Sequence, residues 1–220
     1  YTQTLINLLI WILQKQDKPI DTINTLKKQF DEAHSKILEL IEQKVISNAS
    51  CAEFCEDVTC NHFYDIPSPY NLSQLENLSS DELVKILNTD ETNSVPLTGL
   101  ESDIYSLFQK RPDKYIQDLE NFLNIDFKYL YQIFNAYTSL LHQQKFQNTK
   151  PILAFIHNLI NRNDIWINKT NEKGFNYQIW LVEAIGNYLI EYLNQEIDKN
   201  ISENFNLIKS ISLKIYENIS

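Results

Sequence analysis

The sequence predicts an all-α protein built of antiparallel helix pairs, and three observations predict it. Glycine occurs only three times in 220 residues, where roughly 7% is usual. Folds built on tight turns, bulges and phosphate loops spend glycines on left-handed backbone, so β-sandwich, Rossmann and P-loop architectures drop out. Apolar residues also recur at steps of three and four along most of the chain, the period of one helical face. Finally, the breaks between these stretches carry helix punctuation: Ser or Asp before a periodic run, or Pro in its first turn.

Taken in order, Thr2 to Gln16 reads as a buried helix that ends before Pro19. Asp21 is the N-cap candidate of a long helix to Ile46, with Ile23, Leu26, Phe30, Ala33, Ile37, Leu40, Ile41 and Val45 on one face. Residues 47–70 break the pattern and hold all three cysteines together with Pro67 and Pro69. Ser79 and Glu82 fit a capping box for a helix reaching Leu87. Leu97 to Gln109 forms the next helix, with Leu100, Ile104, Leu107 and Phe108 inward. Pro112 stands at the first position of another, carrying Tyr115, Ile116, Leu119, Phe122 and Leu123. Asp126 caps a longer helix with Leu130, Ile133, Phe134, Tyr137, Leu140 and Leu141 on its face. Pro151 opens a helix through Ile160, and residues 161–175 read as a polar loop. Tyr177 to Gln195 is strongly helical, and Ser202 caps the last helix through Phe205, Ile208, Ile211, Ile215 and Ile219.

Short connections between these helices predict an irregular α-solenoid of the HEAT/TPR kind, each pair burying its face on its neighbours. No clean repeat period is present, so any repeats are degenerate. The expected organisation is an N-terminal helical pair at 1–46, an irregular Cys-containing segment at 47–78, and a helical array over 79–220. Methionine is absent and Tyr1 to Trp11 already reads as helix interior, so the chain is expected to be a fragment of something larger.

Apolar residues make up 43% of the chain and charged residues 22%, too apolar for disorder. The formal net charge is −10, and only Arg111 and Arg162 among the 19 basic residues are arginines. A nucleic-acid binder needs a basic stripe with bidentate arginines, and an anionic membrane surface repels an acidic chain. Neither partner is expected. The most apolar stretch, Leu5 to Leu13, spans nine residues, while a membrane helix needs about 20. It also lacks the basic flank of a signal peptide. The expectation is a cytoplasmic protein. The richness in Asn, Ile, Lys and Tyr favours an AT-rich, bacterial source, and the six N-x-S/T sequons are what chance yields in such a composition.

The sharpest chemical cluster is Cys51, Cys55, Cys60 and His62. Three thiolates and an imidazole are a sufficient zinc set, and no Lys or Arg lies between Lys44 and Lys85. The spacing C-x3-C-x4-C-x-H matches no common zinc module. Buried thiols acting as small hydrophobes, or one disulfide with an odd thiol, are the competing readings. His34, His142 and His157 are isolated, and no nucleophile elbow, H-E-x-x-H or phosphate-loop motif occurs. No catalytic residue is assigned and no enzyme is expected. Among 26 aromatic residues (12 Tyr, 11 Phe, 3 Trp), Trp166 stands in a polar loop, while Tyr64 and Tyr70 flank the two prolines. All three are candidate partner-binding anchors, although a loop Trp more often folds back onto the helix it follows. Trp11 and Trp180 are expected in the core.

From Ser68 to Leu193 the features run in a set order: Pro69, Leu78–Leu87, Pro96-Leu-Thr-Gly-Leu100, Arg111-Pro-Asp-Lys-Tyr115, Tyr129 to Tyr137, Pro151-Ile-Leu153, Trp166 and Trp180. This order resembles the helical repeat region of very large bacterial proteins, including antiviral STAND-type NTPases with sensor arrays. The match covers a little over half the chain and involves structural positions only. The resemblance implies a non-enzymatic scaffold or sensor segment that recognises a protein, or other domains of its own chain, through a solenoid surface. It carries no site residue over and leaves residues 1–67 unexplained. The alternatives from the residues themselves are a small Cys3His metal domain and a secreted bacterial effector that binds a host protein.

Overall fold

A computed structural model describes residues 67–89, 99–167, 176–194 and 201–219, together with the single helical residue Glu42. The predicted helices at 2–16 and 21–46 otherwise lie outside the described residues, as do 47–66. Within the described residues every regular element is a helix, and none is long and apolar enough to cross a membrane.

The first, α1 (Leu72–Glu76), falls inside the stretch expected to be irregular. It is closed by a capping box that the sequence reading missed. The Gln74 amide donates to Asn71 Oδ1 at 2.9 Å and the Asn71 amide to Gln74 Oε1 at 2.9 Å. Five residues with one buried apolar side chain, Leu75, are too few to show a period. Next comes α2 (Ser80–Thr89), where the Ser79 box forms as predicted. The Ser79 amide donates to Glu82 Oε2 at 2.8 Å and the Glu82 amide returns to Ser79 Oγ at 3.3 Å. The Ser79 amide, then its hydroxyl, hold the Glu82 carboxyl below its ordinary pKa. In α3 (Gly99–Lys110) the predicted residues Leu100, Ile104, Leu107 and Phe108 are buried.

The helix predicted from Pro112 is corrected. Pro112 lies in a turn, and a 3-10 segment, η1 (Ile116–Phe122), follows with a kink at Asp118. Tertiary bonds override propensity here. The Tyr115 hydroxyl donates to the Leu78 carbonyl at 3.1 Å, and Lys114 Nζ donates to the Glu76 and Leu78 carbonyls at 2.6 Å each. These bonds pin the turn to the open C-terminal end of α1.

Asp126 caps α4 (Phe127–His142) as expected, accepting the Lys128 amide at 2.9 Å. This helix ends in a Schellman motif. The Lys145 amide donates to the Leu140 carbonyl at 2.9 Å and the Gln144 amide to the Leu141 carbonyl at 2.7 Å. Gln144, at φ 54°, takes the left-handed position that glycine usually fills. Then come α5 (Lys150–Ile160), with Pro151 in its first turn, and a 3-10 turn, η2 (Asn163–Trp166), inside the predicted loop. Asn176 Oδ1 accepts the Ile179 amide at 3.0 Å at the start of α6 (Tyr177–Asn194). The last helix, α7 (Ile201–Ile219), already contains Ser202, which therefore does not cap it. Its residues Ile208, Ile211 and Ile215 are buried.

The elements alternate between two rows in chain order. α1 packs on α3, α3 on α4 and α4 on α6, while α2 packs on η1, η1 on α5 and α5 on α7. α4 and α6 run in the same direction: Tyr131 meets Trp180 (5.9 Å between ring centroids), Phe134 meets Tyr188 (6.3 Å), and His142 Nδ1 meets Glu191 Oε2 (3.6 Å). α5 runs against α4, since Arg162, just past the end of α5, lies 5.2 Å over the ring of Phe127, which starts α4. One continuous core extends from Leu75 to Ile215. Its densest part is aromatic: Phe108 packs on Tyr115, Phe122 and Tyr137 with centroids 5.3, 5.7 and 5.8 Å away. Edge and tilted contacts of this kind add to simple burial.

Candidate interaction surface

The row α3–α4–α6 carries two polar features, one inside and one outside. Inside, at the N-terminal ends of the three helices, Glu101 and Lys128 are fully buried and Asn176 and Tyr177 nearly so. The Tyr177 hydroxyl donates to the Glu101 carboxylate, 3.3 Å from Oε2. Lys128 Nζ lies 4.8 Å from the centroid of the Tyr129 ring, a cation–π contact. A carboxylate in the first turn of α3 also faces the positive end of that helix. Buried charges cost several kcal/mol unless their bonds are satisfied, so the Tyr177–Glu101 bond favours one relative placement of the starts of α3 and α6. Its chemistry is structural.

Outside, α4 presents Tyr131, Asn135, Thr138 and His142 at steps of four, three and four, all half-buried or exposed. That spacing is one helical face, opposite the apolar stripe that enters the core. Gln109 Nε2 donates to Tyr105 Oη at 2.7 Å and to Ser139 Oγ at 2.9 Å, which seals the α3–α4 seam from this side. On the α6 side, half-buried Trp180 lies against Tyr131 and against Tyr177, at 5.9 and 5.2 Å between centroids. Trp180, expected in the core, thus stands at its edge. α6 contains no Lys or Arg, and the one lysine of α4, Lys128, is buried. Of the two carboxylates of α6, Glu183 is half-buried and Glu191 is buried, with its Oε2 3.6 Å from Nδ1 of the exposed His142.

The sequence-predicted residues fall elsewhere. Trp166 is half-buried, packs on the core, and donates its indole N–H to the Ile160 carbonyl at 2.9 Å, closing the end of α5. Arg162 completes that corner: its guanidinium donates to the Leu123 carbonyl and pairs with Asp164. The pairing lowers the Asp164 pKa. Tyr70 is half-buried against the core ahead of α1, in a turn where its amide donates to Ser68 Oγ at 3.2 Å. Tyr64 and the zinc candidates Cys51, Cys55, Cys60 and His62 lie outside the described residues. Among the described residues no group of three or more His, Cys, Asp or Glu could hold a metal ion. The sequence reading missed the face made by Tyr105, Tyr131 and Trp180. The stripe Tyr131–Asn135–Thr138–His142 was the signal that could have found it, as the complement of the apolar one.

No family model, curated protein or solved structure matches the chain.

Proposed function

We propose that this segment is a non-enzymatic recognition scaffold, an irregular α-solenoid of the HEAT/TPR kind that binds a protein partner, or another part of its own chain, in the cytoplasm. The observation that carries the reading is the alternation of elements between two rows, with each helix packing on the next but one. In such arrays the rows bury each other and leave long outer faces for partners. The outer face of α3, α4 and α6 has the composition for it. Tyr105, Tyr131 and Trp180 offer partly exposed aromatic surface, and Gln109, Asn135 and Ser139 offer hydrogen-bonding groups. Tyr and Trp are the side chains that dominate binding energy at interfaces. The resemblance to STAND-type sensor arrays implies the same role, that of a sensor or scaffold in an antiviral defence protein.

The test is a photo-cross-linking amino acid at Asn135, on this face, compared with one at Gln117, exposed on η1 in the other row. A protein captured from Asn135 alone is then purified and titrated against the segment. Binding weakened about tenfold, or about 1.4 kcal/mol, by Asn135→Lys supports the reading. Equal capture from both positions, or an affinity indifferent to Asn135→Lys, overturns it.

A further inference from the structure

We infer that the stretch from Pro112 to Leu123 is a conformational latch: a kinked 3-10 segment while Lys114 and Tyr115 hold the end of α1, and an α-helix once they let go. Local preference and tertiary bonding pull this stretch in opposite directions. Pro112 suits a first helical turn, no Gly or further Pro follows before Asn124, and Tyr115, Ile116, Leu119, Phe122 and Leu123 fall on one face of an α-helix. The structure instead has a turn and then η1, broken at Asp118 (φ −109°, ψ 16°). A segment whose local preference conflicts with its fold is held by its surroundings, and 3-10 backbone within a helical pattern marks strain or a hinge. The bonds that hold it converge on one corner, Glu76 to Asp81, between α1 and α2. Lys114 Nζ donates to the Glu76 and Leu78 carbonyls, and the Tyr115 hydroxyl to the Leu78 carbonyl. At the kink itself the Ser80 hydroxyl donates to Asp118 Oδ2 at 3.1 Å, and beyond it Asn121 Nδ2 donates to Asp81 Oδ1 at 2.9 Å. α1 has five residues and one buried side chain, Leu75, so little apolar burial keeps that corner in place. On its other side η1 meets α5: Asn158 Nδ2 donates to Glu120 Oε1 at 2.9 Å and Arg162 to the Leu123 carbonyl. A 3-10 helix rises about 2.0 Å per residue and an α-helix about 1.5 Å, so relaxing the seven residues Ile116–Phe122 shortens them by about 3.5 Å. Release of the α1–α2 corner is thereby passed to α5, two elements along the same row.

Lys114→Met combined with Tyr115→Phe removes the bonds to the corner carbonyls and keeps the bulk of both side chains. The test compares backbone Cα chemical shifts and amide hydrogen exchange over residues 112–124 in the full chain, wild type against the double variant. The expected result is a move of the Cα shifts of Ile116 to Leu123 to α-helical values. Protection of the amides from Leu119 to Leu123 should rise about tenfold with it, as each gains an i−4 carbonyl. Asp118→Ala is read in the same way should the double variant fail to fold by circular dichroism. It replaces an exposed residue at the kink with the best helix former and removes the bond from Ser80. Cα shifts that stay at their wild-type values show that packing alone sets the 3-10 form. Shifts that move to random-coil values show that the stretch has no helical alternative. Either result overturns the inference.

Discussion

Tyr177 donates its hydroxyl to the carboxylate of Glu101, joining the start of α6 to the start of α3 across the intervening α4. Both residues are buried. A hydrogen bond to a charged group contributes more than a neutral one, because the carboxylate has left water and depends on its donors. The contact thus sets the relative height of α3 and α6, two helices that share one row.

Tyr177→Phe removes that donor and leaves the ring in place. It is expected to destabilise the fold by about 1.5–3 kcal/mol, read as a lower midpoint in urea with an unchanged slope. A midpoint equal to wild type would show that Glu101 does not depend on the bond.

Two buried tyrosines are expected to respond in opposite senses to loss of the hydroxyl. Tyr137 donates to the Pro112 carbonyl at 3.1 Å, whereas the Tyr188 hydroxyl is buried with no hydrogen-bond partner among the described residues. Tyr137→Phe is expected to cost about 1 kcal/mol, and Tyr188→Phe to stabilise by about as much, because it removes an unsatisfied polar atom from the core. Thermal melts of the two variants decide it. Equal losses would mean that the Tyr188 hydroxyl has a partner.

Gln144 holds left-handed backbone at the end of α4. A side chain with Cβ costs about 1 kcal/mol there relative to glycine. Gln144→Gly is expected to raise stability by up to that amount, less the entropy that glycine adds to the unfolded chain. Gln144→Val is expected to lower it. A glycine variant less stable than wild type would contradict the Schellman geometry.

Alkaline pH is expected to unfold the protein through its buried tyrosines. Burial pushes the Tyr115 hydroxyl up to about 12, and moves Tyr137, Tyr188 and Tyr216 upward as well. Each raised value means that the folded state keeps a proton that the unfolded state gives up near the ordinary value of about 10. The contribution is therefore complete below pH about 10, shrinks as pH rises above it, and for Tyr115 is lost past about 12. Tyrosinate absorbance should rise in two stages, the second coinciding with loss of the helical circular dichroism signal. A single early rise with the helices intact would refute the burial of these rings.

Helix type, the inward faces and most starts were legible because they depend on local chemistry. Periods of three and four marked Leu100, Ile104, Leu107 and Phe108, and side-chain oxygens at Ser79 and Asp126 announced their helices before any tertiary contact is considered. α1 was not legible, because one turn has no period. The helix expected at Pro112 failed because Tyr115 and Lys114 spend their polar groups on the end of α1, a choice visible only once both ends are side by side.

By itself, then, the sequence determined that the regular elements among the described residues are helices, which residues turn inward and where most of these helices begin, since each of these is decided within a few residues by periodicity and capping. The tertiary structure alone decided that α4 and α6 run in the same direction, that Glu101 meets Tyr177, that Trp180 stands at the core's edge against Tyr131, and that Trp166 spends its N–H on Ile160. The apolar stripes could pair in many combinations at similar burial. Directional bonds among distant polar groups, each costly to leave unmade in the interior, select among them.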